Sequence, residues 1–218
     1  MNKYLIEFIG TFFLVFVICF TSGNYLAPFA IGSMLIAMVY IGENISGAHY
    51  NPAVTLAMLI RKKINIKNSM IYMAVQVIGA FVAAYCFYLV WGKNIGVPKP
   101  NTEINVLKPL AIEVVFTFAW ALAVLSVSTS KKKSGYNGFV IGLIVIAGFI
   151  SGNSISSGVF NPAVGLGPIL IDTIWGTCPC HPVQHLWIYI SGPFIGGAIA
   201  GIVYKFFDKN CEEIKNER

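Results

Sequence analysis

The sequence predicts an all-α membrane protein in which six transmembrane helices and two re-entrant half-helices form an inverted repeat. Three observations carry this. The 218 residues are 56% hydrophobic and 11% charged, with a mean hydropathy of +0.73, against roughly 25% charged residues in soluble domains. The chain is written twice, with matching strings in the same order. Each copy holds one Asn-Pro-Ala segment in an apolar stretch too short to span.

A helix needs roughly 20 apolar residues to cross about 30 Å of hydrocarbon. Six stretches approach that length: Tyr4–Thr21, Pro28–Ile45, Ser69–Trp91, Val106–Ser128, Tyr136–Ile150 and Leu186–Phe207. The fifth is the weakest, because it spans only if Gly152 and its polar neighbours extend it. Met1–Thr21 has an early lysine like a secretory leader, but it carries Glu7 and lacks a small-residue cleavage site, so it reads as the first span.

A net charge of +6 would suit a nucleic acid if the basic residues were clustered on one surface. They follow a membrane rule instead. Lys3, Arg61, Lys62, Lys63, Lys67, Lys131–Lys133, Lys205, Lys209, Lys215 and Arg218 fall on one side of a six-span topology, twelve of fifteen in all. Lys93, Lys99 and Lys108 fall opposite, so the positive-inside rule places both termini in the cytoplasm. The basic residues read as anchors to the lipid bilayer, the run Lys131–Lys133 also suiting anionic lipid, and no nucleic-acid partner is expected. Cys19, Cys86, Cys178, Cys180 and Cys211 show no disulfide framework.

The internal repeat is the most informative feature. EFIGTFF at Glu7–Phe13 returns as EVVFTFA at Glu113–Ala119, Ile31-Gly32 as Ile141-Gly142, Asn51-Pro52-Ala53-Val54 as Asn161-Pro162-Ala163-Val164, and Ile78-Gly79-Ala80 as Ile195-Gly196-Gly197. The whole chain, 1–218, reads as a single membrane domain, with repeat one at about 1–92, repeat two at about 105–210 and a tail at 208–218. Each repeat holds an odd number of spans, so the second enters the membrane inverted and the two Asn-Pro-Ala segments approach from opposite faces.

Asn51–Ile60 and Asn161–Leu170 are each about ten apolar residues; two helices of that length, at ~1.5 Å per residue, would cover about 30 Å end to end. Proline suits the first helical position and asparagine caps it, so Asn-Pro writes a helix start. The preceding SGAHY and SSGVF strings can run extended, and such backbone survives at membrane depth only where it lines a wet cavity. With both N-termini facing each other, each presents about +0.5 elementary charge to the passage, and Asn51 and Asn161 donate towards it.

SGAHYNPAVT, the second Asn-Pro-Ala and the late WIYISGPFIGGAIAG string together resemble the aquaporin, or major intrinsic protein, family over essentially the whole chain. The resemblance implies six tilted helices and two half-helices around one pore per subunit, a homotetramer, and passive passage of water and small uncharged solutes. Carried over by position, the family's constriction falls on Ile31, Phe149, Gly158 and Val164. Water-selective members resemble one another in placing Arg where this chain has Val164, often with His at the position of Phe149; glycerol-conducting members usually add Asp where Gly165 stands. The apolar set here looks more like that of plant vacuolar-membrane members. Losing Arg removes five donors and a fixed charge, which favours solutes needing few hydrogen bonds: ammonia, hydrogen peroxide and urea beside water, with glycerol a further candidate.

Glu7 and Glu113 are ionisable groups inside spans. They could relay protons, but one serves each repeat, so they read as acceptors supporting the extended segments, the role the family gives them. His49 reads as a hydrogen-bonding strut, with gating by protonation as the alternative. Cys178, Cys180 and His181, near His185, are a weak metal candidate matching no well-attested site; no metal or other cofactor is expected. No nucleophile, metal or paired-carboxylate constellation converges in the spans, so no enzyme is expected. The rival function is a secondary transporter, which also uses inverted repeats and broken helices, but usually with ionisable residues at the central site.

Overall fold

The computed structural model describes residues 2–92, 96–129, 135–176 and 182–216. Its helices are α1 (Asn2–Phe20), α2 (Ala27–Gly42), α3 (Pro52–Ile60), α4 (Ile66–Trp91), α5 (Leu107–Thr129), α6 (Asn137–Ser156), α7 (Pro162–Trp175) and α8 (Leu186–Asn216), the last preceded by a 3-10 turn at Pro182–His185. Among the described residues, five helices are long and apolar enough to cross a membrane, and α2 is shorter.

Packing follows the repeat. α1 lies along α4 as α5 lies along α8, α3 rests on α8 as α7 rests on α4, and α2 meets α6 between the halves. Exchanging α1–α4 for α5–α8 maps this pattern onto itself, as an inverted pair requires. Lipid offers no hydrophobic drive for helices to associate, so close approach must come from small residues at the crossings. A Cβ on Gly79 would stand 2.6 Å from the Phe8 carbonyl oxygen, and one on Gly196, its counterpart, would collide with that of Val114. At the centre, a Cβ on Gly142 would stand 2.8 Å from the Gly32 carbonyl oxygen. The paired glycines of the repeat are therefore the points where backbones touch.

Boundaries depart from the sequence reading at several elements, three of them beside the site. The weak fifth span is a full helix of 20 residues that runs through Gly152 to Ser156. The second is the short one, 16 residues ending at Gly42 rather than Ile45, about 24 Å at 1.5 Å per residue. It stops there because Ser46 must turn back to reach Glu7. The second half-helix is 14 residues rather than about ten, because Ile171–Trp175 stays helical beyond Pro168.

Replacing Gly79 or Gly196 with Val should push backbones apart at equivalent crossings. Overpacking costs about 1–3 kcal/mol. Each variant should show a lowered unfolding temperature in detergent, with the two losses similar in size; an unchanged transition in both would show that the crossings tolerate separation.

Candidate transport site

Both half-helices start in the same way. Asn51 (φ −154°) and Asn161 (φ −153°) are extended, Pro52 and Pro162 follow, and the side-chain oxygens accept the N–H groups of Ala53 at 2.8 Å and Ala163 at 3.0 Å. The amide nitrogens then cross between repeats. Asn51 Nδ2 donates to the Phe160 carbonyl and Asn161 Nδ2 to the Tyr50 carbonyl, each at 2.9 Å. A side-chain amide has two N–H groups, so each asparagine keeps one beyond this link. Asn51 and Asn161 are both fully buried.

The carbonyls that receive these bonds belong to residues in an uncommon conformation. Tyr50 (φ +49°) and Phe160 (φ +51°) occupy the left-handed region, where a bulky side chain is strained unless its surroundings hold it. Glycines make room for both rings. A Cβ on Gly10 or Gly42 would collide with the Tyr50 side chain, and one on Gly148 or Gly152 would press on the Phe160 ring at 2.9 and 3.0 Å. The Tyr50 hydroxyl donates to the Met38 carbonyl at 2.9 Å, while Phe160 packs against Phe116 and Phe149 at centroid distances of 5.2 and 5.8 Å.

Glu7 and Glu113, both fully buried, receive the peptide groups freed by that geometry. Glu7 Oε1 accepts from the Ser46 hydroxyl (2.5 Å) and the His49 N–H (2.9 Å), and Oε2 from the Tyr50 N–H (2.7 Å) and Gln76 Nε2 (2.8 Å). Glu113 Oε1 accepts from the Ser156 hydroxyl (2.7 Å) and the Val159 N–H (2.9 Å), and Oε2 from the Phe160 N–H (2.6 Å). Each serine also accepts a backbone N–H two residues on, from Ala48 and Gly158.

Beyond this shared frame the halves differ. His49 Nδ1 lies 3.1 Å from Thr55 Oγ1, which also accepts from Gln76 Nε2 at 3.1 Å, and the His49 ring meets Tyr72 edge-on at 5.2 Å. The equivalent positions of repeat two are Val159, Gly165 and Pro193. One side of the crossing is therefore lined by polar groups and the other by apolar ones.

Two cavities flank it. One, of about 490 Å³ at the end carrying Lys3 and Lys63, is lined by His49, Glu43, Asn137, Tyr72 and Met58. The other, of about 480 Å³, brings Ile31, Phe149, Gly158 and Val164 together with Pro98 and Pro168. Pro168 lacks the N–H that would bond the Val164 carbonyl four residues before it. The cluster at Cys178, Cys180 and His181 lies outside the described residues. Among the described residues no three His, Cys, Asp or Glu side chains gather to hold a metal ion.

A crossing of two asparagine-capped half-helices within an inverted repeat narrows the families to compare. The sequence model of the family described as Major intrinsic protein matches residues 1–204. The chain belongs to that family. It is 35% identical over 185 residues to the probable aquaporin TIP4-1 of Oryza sativa subsp. japonica, a match spanning 83% of this chain and 70% of the relative. It is 32% identical over 191 residues to aquaporin TIP1-1 of Arabidopsis thaliana, spanning 85% and 72%. Among solved structures, the X-ray structure of the aquaglyceroporin from Plasmodium falciparum shares the fold, with a TM-score of 0.80 at 22% identity over 93% of this chain and 94% of that one. The protein is thus an integral, multi-pass membrane protein of this family.

Sequence reasoning missed Tyr50, Phe160, Ser46, Ser156, Gln76 and Thr55. A signal existed for the serines, since Ser46 and Ser156 stand five residues before the matching asparagines. Nothing in the strings announces that an aromatic residue precedes Asn because its backbone must turn left-handed.

Glu113→Ala would leave the three donors to its carboxyl group without an acceptor, at about 1–3 kcal/mol each. It should unfold well below the wild type, while Glu113→Gln, keeping one acceptor oxygen, should lose roughly half as much. Equal stability of Ala and Gln variants in thermal unfolding would show that the carboxyl group does not carry the loop.

Proposed function

We propose that this protein is a passive transmembrane channel for water and small uncharged solutes, among them ammonia, hydrogen peroxide and urea, with glycerol as the largest. The observation that carries the reading is the mutual capture of Asn51 and Asn161 between two cavities opening towards opposite ends. Solute passing that point meets one amide N–H from each asparagine and the positive ends of two half-helices. The printed names of the relatives, aquaporins, and of the fold neighbour, an aquaglyceroporin, support the same class.

A secondary transporter is not favoured. Such proteins usually place ionisable side chains along the substrate and ion pathway, whereas the side chains that meet at the crossing here are two amides. Flux through a channel rises linearly with the solute gradient and is indifferent to proton or sodium gradients. Saturating, gradient-driven uptake in proteoliposomes would assign the protein to the rival class.

In this reading Ile31, Phe149, Gly158 and Val164 form the constriction, their support being that they line one cavity beside the crossing. The end bearing Lys3 and Lys63 faces the cytoplasm, since the basic residues cluster there, and subunits assemble as homotetramers with one pore each, as the resemblance implies. An apolar constriction selects by width more than by hydrogen bonding. Val164→Arg would insert five donors and a charge there. In proteoliposomes followed by light scattering against a panel of osmolytes, urea permeability should fall about tenfold, a barrier change of ~1.4 kcal/mol, with water still passing. Undiminished urea flux would remove Val164 from the constriction.

A further inference from the structure

The stretch 96–101, between the repeats, is held across one of the two cavities. At one end it abuts the turn that follows α1: a Cβ on Gly96 would stand 2.6 Å from that of Ser22. At the other it is bonded to the end of α6. The Lys99 N–H donates to Ser157 Oγ at 3.1 Å, the same hydroxyl donates to the Lys99 carbonyl at 2.6 Å, and the Asn101 N–H donates to the Ile155 carbonyl at 2.9 Å. The three-residue step from Gly96 to Lys99, if extended, reaches about 10 Å. Pro98 lies between them and lines the same cavity as Ile31, Phe149, Gly158 and Val164.

The segment is stiff for reasons visible in its composition. Pro98 and Pro100 fix their own φ and carry no N–H, so Lys99 has the one peptide N–H between them, and Ser157 takes it. Val97 packs against the core and Pro100 is buried. Ser157 itself is left-handed, at φ +69°. Its counterpart in repeat one is Gly47, also at positive φ, which lines the opposite cavity and has no side chain with which to pin anything. The two mouths therefore differ: a proline rod crosses one of them, fastened by the Ser157 hydroxyl at Lys99 and by one backbone bond beyond it, at Asn101.

We propose that Pro98 is a further specificity-determining residue, roofing the cavity next to the constriction and limiting solute size there, with Ser157 as the residue that positions it. This rests on the channel reading above.

The test uses the full-length protein in proteoliposomes, comparing wild type with Ser157→Gly, Pro98→Gly and the double variant. Glycine relieves the left-handed backbone at 157, so Ser157→Gly removes the hydroxyl without adding strain. The readout is the ratio of glycerol to water permeability, which a merely structural defect would not raise. Each single variant should raise it about fivefold, the change expected when the barrier falls by roughly one hydrogen bond's net worth. The double variant should raise it no further, because both changes release the same rod. A ratio unchanged in both single variants, or water and glycerol rising together, overturns the proposal. If wild-type vesicles are no more permeable to water and every neutral solute than empty ones, the channel reading itself fails, which is a separate result.

Discussion

Turning the backbone left-handed at Tyr50 and Phe160, deep within an apolar protein, frees peptide groups that no helix or solvent can satisfy. The rest of the site depends on the answer to that problem, one buried glutamate per repeat. Glu7 and Glu113 stand on the first helix of each half and collect the consecutive N–H groups of His49 and Tyr50, or of Val159 and Phe160. An unmet buried donor costs about 1–3 kcal/mol, a large share of the roughly 5–15 kcal/mol that holds a protein folded. The carboxyl groups thus let a non-helical segment exist at this depth. Once the N–H groups point inward to the glutamates, the carbonyls of Tyr50 and Phe160 are free to face the other repeat, where Asn161 and Asn51 bond them. The capture of each repeat's asparagine by the other follows from the glutamates.

The same frame, used twice, holds different linings. His49, Thr55 and Gln76 interlock beside Glu7, while Val159, Gly165 and Pro193 occupy the matching places beside Glu113. Duplicated backbone geometry is preserved by the residues that bond peptide groups; the remaining positions are free to diverge. Divergence here has made one approach to the crossing polar and the other apolar. Gly165 has a packing consequence as well, since a Cβ there would stand 2.7 Å from that of Tyr189, so α8 can close on α7 only because the threonine of repeat one is not repeated.

The repeat, the odd span count and Asn-Pro as a helix start were legible because they rest on rules that operate within short strings: caps, apolar length and charge bias. Ile31, Phe149, Gly158 and Val164 come from four separate stretches and line one cavity; what singled them out was the resemblance to the family, not any rule that operates within the strings. What was not legible came from contacts between strings. The early stop of α2 at Gly42 reflects the demand of Ser46 for Glu7, which hydropathy does not record. Asn161–Leu170 reads as about ten residues, but α7 continues to Trp175 because its tertiary neighbours favour it: Ile169 and Ile171 are fully buried and Trp175 packs against Tyr85 and Tyr88 at 5.3 and 6.0 Å. The left-handed aromatics could not be anticipated at all, since their cost is met by glycine-lined space on other helices.

Charge exclusion and solute choice are separable in such a design. Two half-helix ends of about +0.5 charge each, at ~5 Å and an effective dielectric of ~20, oppose a cation by on the order of 3 kcal/mol. That figure depends on the backbone of α3 and α7 and on their capping asparagines, which are the same in both repeats. It does not depend on a charged side chain at the proposed constriction, so Val164 there leaves it standing. Dehydration adds to the ion barrier and grows as the lining becomes apolar, because Ile31, Phe149 and Val164 offer an ion no replacement for its water. For an uncharged solute the same lining removes a competitor for hydrogen bonds without imposing a charge. In the proposed constriction, an alkyl group in place of a guanidinium would therefore widen the range of neutral solutes while the ion barrier, held by the fold, persists.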